Sequence, residues 1–119
     1  MTYIDGYVFA ISRDQKEAYT KQANAFGVFA MQQGALKILE AWQDDVPEGK
    51  QTDFFRAVEC KDDEAVVFAW TLWPSKEVRN TAHATMRNNP ELLKLLGDAV
   101  FDGKRMIFGG FEPFIEHGA

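Results

Sequence analysis

Near its end the chain reads Asp102-Gly-Lys-Arg-Met-Ile-Phe-Gly-Gly-Phe-Glu-Pro-Phe114, an apolar run opened by a turn dipeptide and closed by proline. Phe108, Phe111 and Phe114 are too apolar for a free tail, and Gly109-Gly110 implies that another surface comes close to the backbone. The run is expected to be a strand docked deep in a sheet, with the rest of the chain folded to receive it. That expectation demands a sheet, and the preceding sequence supplies one.

Tyr3–Ser12 is rich in β-branched and aromatic residues and apolar on both faces, as a central strand would be. Ser12 and Gln15 have capping-box spacing, and a helix to about Gln33 follows, with Tyr19, Ala23, Phe26 and Ala30 as its buried stripe and Gly34 as its left-handed cap. Residues 35–42 read as a second strand. Residues 54–60 and 64–73 read as a hairpin about Lys61-Asp62-Asp63. Ser75 caps a helix with the stripe Val78, Ala82 and Met86, and Asn89-Pro90 opens a short helix to Leu96. The order is that of an α+β, ferredoxin-like split βαβ fold with a mostly antiparallel sheet and one strand segment too many. Either 35–42 or 54–60 must then be something other than a full sheet strand.

With 119 residues, 46% hydrophobic and 26% charged, the chain is expected to form one domain over residues 1–119. A single cysteine, Cys60, excludes an internal disulfide and favours a reducing compartment, so a cytoplasmic location is expected. No signal peptide and no membrane-spanning run is expected from the sequence. A net charge of −5 with scattered Lys and Arg argues against nucleic-acid binding. One cysteine and two distant histidines suggest no metal site, and no cofactor motif is present.

Period-2 alternation divides the strands into two sets. One is small: Ile4, Val8, Ala10, Leu39, Ala41, Val67, Ala69, Thr71, Ile107 and Gly109. The other is bulky: Tyr3, Asp5, Tyr7, Phe9, Ile38, Glu40, Trp42, Phe54, Arg56, Val58, Phe68, Trp70, Leu72, Met106 and Phe108. Helices are expected on the small set, leaving the bulky face for a second copy, because an open aromatic face is a liability for a monomer. A one-residue slip in register would reverse this.

Asp5, Glu40 and Arg56 share the bulky set, so acid and arginine are expected to meet there, either as a structural ion pair or around a wet pocket. His83, with Arg79 and Arg87 four residues away on either side, is a conceivable general base or a half-exposed helix histidine. Candidate catalytic residues are therefore Asp5, Glu40, Arg56 and His83. Tyr7, Trp42, Trp70 and Phe108 are candidates for a ligand pocket, or for plain aromatic core.

Tyr3-Ile-Asp-Gly-Tyr7, Asp44-Asp-Val-Pro-Glu-Gly49, Thr52-Asp-Phe-Phe-Arg-Ala57, Trp70-Thr-Leu-Trp-Pro-Ser-Lys76 and the block Asp102–Pro113 together resemble the YbaA-like, DUF1428 family. The resemblance covers essentially the whole chain and implies a dimeric α/β barrel. It supplies no activity and no catalytic residues. The expected function is a homodimer that binds a small apolar molecule between sheet and helices. The alternative is a small cofactor-independent enzyme, of monooxygenase or isomerase type.

Overall fold

β1 (Tyr3–Ser12) is the central strand, paired along its whole length with one neighbour and over Ile4–Val8 with another, and its buried residues Val8, Phe9, Ala10 and Ile11 fall on both faces. A computed structural model describes residues 1–97 and 100–118. After β1 come a 3-10 turn (Arg13–Gln15), α1 (Lys16–Gln32), β2 (Lys37–Trp42), the short α2 (Phe54–Ala57) and β3 (Glu64–Trp73). α3 (Lys76–Arg87), α4 (Pro90–Gly97) and β4 (Ile107–Phe111) complete the order. The sheet runs β2-β3-β1-β4, and every pairing is antiparallel. Two interleaved βαβ crossovers result, which is the ferredoxin-like α+β arrangement. β1 is central, as expected. β4 is an edge strand rather than one docked deep in the sheet.

Residues 54–60 are not a strand. The Asp53 side chain accepts from the backbone N–H of Arg56 at 2.8 Å and of Gly49 at 3.1 Å, so a cap starts a helical turn where the apolar residues suggested pairing. Glu59 then takes a φ of 49°, turning the chain into β3. Val58, fully buried, packs on Val8, Ala10 and Val66 and covers one end of a sheet face. This removes the surplus strand and fixes the directions of the others. Ser12 makes no capping hydrogen bond, so the capping box does not form and the 3-10 turn leads into α1 instead. The other caps form: Ser75 Oγ accepts from Val78 N–H and Asn89 Oδ1 from Leu92 N–H, both at 3.1 Å. Gly34 closes α1 at a φ of 104°.

The faces of β1, β2 and β4 are the reverse of those expected, while β3 keeps Val67, Ala69 and Thr71 toward the helices as expected. β1 and β3 pair Tyr7 with Ala69 and Asp5 with Thr71, so the large residues of β1 face the small residues of β3. Tyr3, Asp5, Tyr7, Phe9, Ile38 and Glu40 lie on the helix side, and Phe108 joins them through its pairing with Tyr7. Phe9, Ile11, Val67 and Ala69 form the core beneath α1, while Trp73, Ala30 and Ala82 join α1 to α3. The far face carries Ile4, Leu39, Phe68, Trp70, Leu72, Ile107 and Phe111. Leu39, Phe68, Ile107 and Phe111 are between 41% and 63% exposed.

An ion-pair clasp ties the turn before β4 to the start of β3. Arg105 donates through both terminal nitrogens to Glu64 at 2.8 Å, and also to Asp102 and to the Glu59 carbonyl. Arg105 holds the Glu64 carboxyl down at about 2. A folded pKa below the ordinary 4.5 means that this stabilisation is present above about pH 4.5 and is lost as the pH falls toward 2. Glu64→Gln is therefore expected to cost roughly 1–3 kcal/mol at neutral pH. Urea titrations of the two proteins should converge near the acid end of that window.

Candidate functional site

Asp5 lies in the middle of β1, 2% exposed, where an isolated carboxylate would be strongly disfavoured. Three side chains converge on it. Trp73, at the end of β3, donates its indole N–H at 3.0 Å. Arg79 donates from Nη2 at 2.8 Å and from Nε at 3.1 and 3.2 Å to the two oxygens. His83 Nε2 lies 3.0 Å from Oδ2. Burial alone would raise the Asp5 pKa, but the hydrogen bonds and charges of His83 and Arg79 outweigh it and hold the carboxyl below its ordinary value.

Helical spacing makes this possible. Arg79 and His83 are four residues apart on α3, so one face of the helix presents both to the same carboxylate. Arg79 also stacks over the Tyr3 ring, 5.3 Å from its centroid. Gly110, paired with Asp5 across β1 and β4, leaves room for both: a Cβ there would meet Tyr3 Oη at 2.5 Å and Arg79 Nη2 at 2.9 Å. Of the glycine pair, Gly110 marks a close approach to backbone, whereas Gly109 has only ordinary contacts with Phe111.

An ionised carboxylate only accepts hydrogen bonds, so His83 Nε2 carries a proton, and whenever the ring is neutral that proton is the one it keeps. Nδ1 then carries the lone pair. His83 is a quarter exposed and lines a cavity of about 490 Å³ between the sheet, α1, α3 and the segment before β4. The walls are largely apolar, with Phe9, Phe26, Met86, Phe101 and Met106 prominent. That size and lining suit a small organic molecule. Tyr7, Thr71, Tyr19 and Glu40 bring polar groups to the same space. Burial, reinforced by the Asp5 charge, pushes the Tyr7 hydroxyl pKa up, so it is protonated at neutral pH. The Tyr19 hydroxyl donates to Glu40. Desolvation raises the Glu40 carboxyl against the lowering effect of that bond.

The structure thus brings Asp5, His83 and Glu40 to one region, with Tyr7 and Phe108 at the same cavity. Phe108 is 71% exposed and stands at the mouth. Trp70 borders the cavity from β3, although its pairing with Gly6 puts its ring on the far face. Trp42 lies outside, under the Lys16 ammonium, in the groove between α1 and β2. Arg56 does not meet Asp5 or Glu40. It is spent on Asp53 and the Gly49 carbonyl beside α2. The arginine that completes the site is Arg79, and Trp73 is the donor that sequence patterning left unassigned. Its signal was the Arg79-His83-Arg87 period of four beside a carboxylate in mid-strand. Among the described residues no group of three or more His, Cys, Asp or Glu could hold a metal ion.

A family model described as "Protein of unknown function (DUF1428)" matches residues 2–103. The chain belongs to this family. The DUF1428 chain is 46% identical over 116 residues to "Uncharacterized protein YbaA" of Escherichia coli K12, covering 98% of this chain and 99% of that protein. The same identity and coverage hold for YbaA of Shigella flexneri. Among solved structures, the DUF1428 chain is similar to SnoaB, a cofactor-independent oxygenase from Streptomyces nogalater, with a TM-score of 0.62, 16% identity, and 97% and 95% of the two chains covered. It is also similar to a dimeric ferredoxin-like protein from an uncultured marine organism, with a TM-score of 0.56, 14% identity, and 98% and 96% covered. At those identities the likeness is one of fold, and the DUF1428 chain shares it over almost its whole length.

Proposed function

We propose that this protein binds a small, largely apolar molecule in the cavity between its sheet and helices. One observation carries the reading: a recess of about 490 Å³ between sheet and helices, walled by aromatic and methionine side chains, with a few polar groups at fixed positions. Phenylnaphthylamine, a neutral apolar fluorophore, is expected to bind saturably and to shift the methyl signals of Met86 and Met106, which line the cavity. Met1 and Met31, which do not, should be unmoved. Ala23→Trp, which fills the space from α1, should abolish binding. Failure to saturate, or unchanged binding in the filled variant, would refute the reading.

His83 supports a second reading, as an enzyme needing no cofactor. An imidazole held by a buried carboxylate, with its other nitrogen free, is equipped to take a proton from a bound molecule. SnoaB, of similar fold, is itself a cofactor-independent oxygenase. The matching assay is deuterium exchange from solvent into enolisable ketones. Wild type should exceed His83→Gln by about 10²–10⁴-fold. Equal rates across a broad panel would count against catalysis.

The protein is further proposed to be a cytoplasmic single-domain homodimer joined through the open sheet face, with no nucleic-acid or membrane partner. The exposed far-face residues support the dimer, and the lone Cys60 and the acidic charge support the location and the absence of nucleic acid. Among the described residues no helix is long and apolar enough to cross a membrane.

A further inference from the structure

We propose that the molecule taken by this cavity is an amphipathic anion: a ring-bearing apolar body ending in a single acidic group, which Arg87 grips at the mouth beside His83. The proposal rests on the cavity being a ligand site and adds the chemical class of its occupant.

Arg87 lies one helical turn beyond His83 on α3 and lines the same cavity. Its position differs from that of three other arginines. Arg56, Arg79 and Arg105 are each held by a carboxylate. Arg87 has no hydrogen bond or ion pair among the described residues, and it is exposed at the entrance. The negative charge of Asp5 is matched by Arg79 and lies behind His83. The other acid of the wall, Glu40, accepts from the Tyr19 hydroxyl and makes no ion pair among the described residues. Arg87 is therefore the cavity-lining guanidinium that no carboxylate holds among the described residues. A guanidinium presents a planar fork suited to carboxylate or sulfonate oxygens. The aromatic walls suit a ring, because Phe9, Phe26 and Phe101 offer faces on which one can pack.

The test compares two fluorophores with the same ring skeleton, neutral phenylnaphthylamine and anionic anilinonaphthalene sulfonate. The sulfonate should bind wild type at least about tenfold more tightly, a difference worth ~1.4 kcal/mol. Arg87→Ala should bring the two affinities within about twofold while leaving the neutral probe unaffected, and Arg87→Lys should restore part of the preference. Arg87 is an exposed helix residue, so both variants should fold; circular dichroism checks this. Shifts at the Met86 and Met106 methyls certify the site in each titration. Equal affinities in wild type, a preference that survives Arg87→Ala, or sulfonate binding that moves only Met31 would each overturn the proposal while leaving the cavity reading intact. If neither probe moves Met86 and Met106, both fall.

Discussion

Asp5→Ala is expected to destabilise the protein by roughly 3–5 kcal/mol, the usual cost of removing one partner from a buried charged network. Arg79, His83 and Trp73 all direct donors at that carboxylate, and the substitution removes the acceptor that all three share between β1 and α3. Arg79→Ala should cost less, because Trp73 and His83 still satisfy Asp5. The double variant should cost less than the two losses combined, since the second removal relieves a charge already orphaned by the first. The pH dependence has a definite sign. The Asp5 pKa is held below its ordinary value of 3.8, so its contribution is present above that value and disappears as the pH falls through the lowered folded value. Urea midpoints of the four proteins at neutral and acid pH decide the matter. A loss below about 1 kcal/mol for Asp5→Ala would show that the cluster is not the keystone between β1 and α3.

The second large effect concerns assembly. Phe68 and Ile107 lie on the far face, with Phe111 and Leu39 exposed nearby. Phe54 leans on Phe68 with ring centroids 6.1 Å apart, so the apolar surface continues onto α2. A contiguous patch of this kind is rarely left open to water. Sedimentation should show wild type as a dimer at micromolar concentrations, and Phe68→Asp with Ile107→Asp as a monomer. Placing two carboxylates in a face otherwise lined by apolar groups costs several kcal/mol per buried charge. Probe binding at Met86 and Met106 should survive in the monomer, because the cavity lies on the opposite side of the sheet. A wild-type monomer, or a double variant that stays dimeric, would refute the interface.

How far the sequence alone reached is best seen at particular residues. The order of the four sheet strands and main helices along the chain follows from alternation, caps and turn residues, all of them local signals. Asp5 stood out because a carboxylate in an apolar strand needs a partner. The identity of that partner did not, since Arg79 is 74 residues away while Arg56 seemed to share its face. Alternation sorts residues within a strand but does not align one strand with the next. Setting Tyr7 beside Phe68 and Trp70, when its neighbour is Ala69, put β1, β2 and β4 on the wrong faces relative to β3. The supposed hairpin encouraged that slip. Residues 54–60 carry the apolar composition of a strand, and only the reach of Asp53 to two backbone N–H groups turns them into a helical turn. A pocket between sheet and helices was expected, but most of its lining could not be read, because it depends on how α1 and α3 stand over the sheet.

The central claim is that a buried carboxylate fixes the His83 ring and leaves its second nitrogen free for the cavity. Nitrogen NMR of the His83 imidazole, recorded in its neutral form, tests it most directly. Wild type should show a single tautomer with the proton on Nε2 and an unprotonated Nδ1, and the Nδ1 resonance should move when phenylnaphthylamine fills the cavity. A proton resident on Nδ1, or a pair of nitrogen signals averaged between tautomers, would contradict the account.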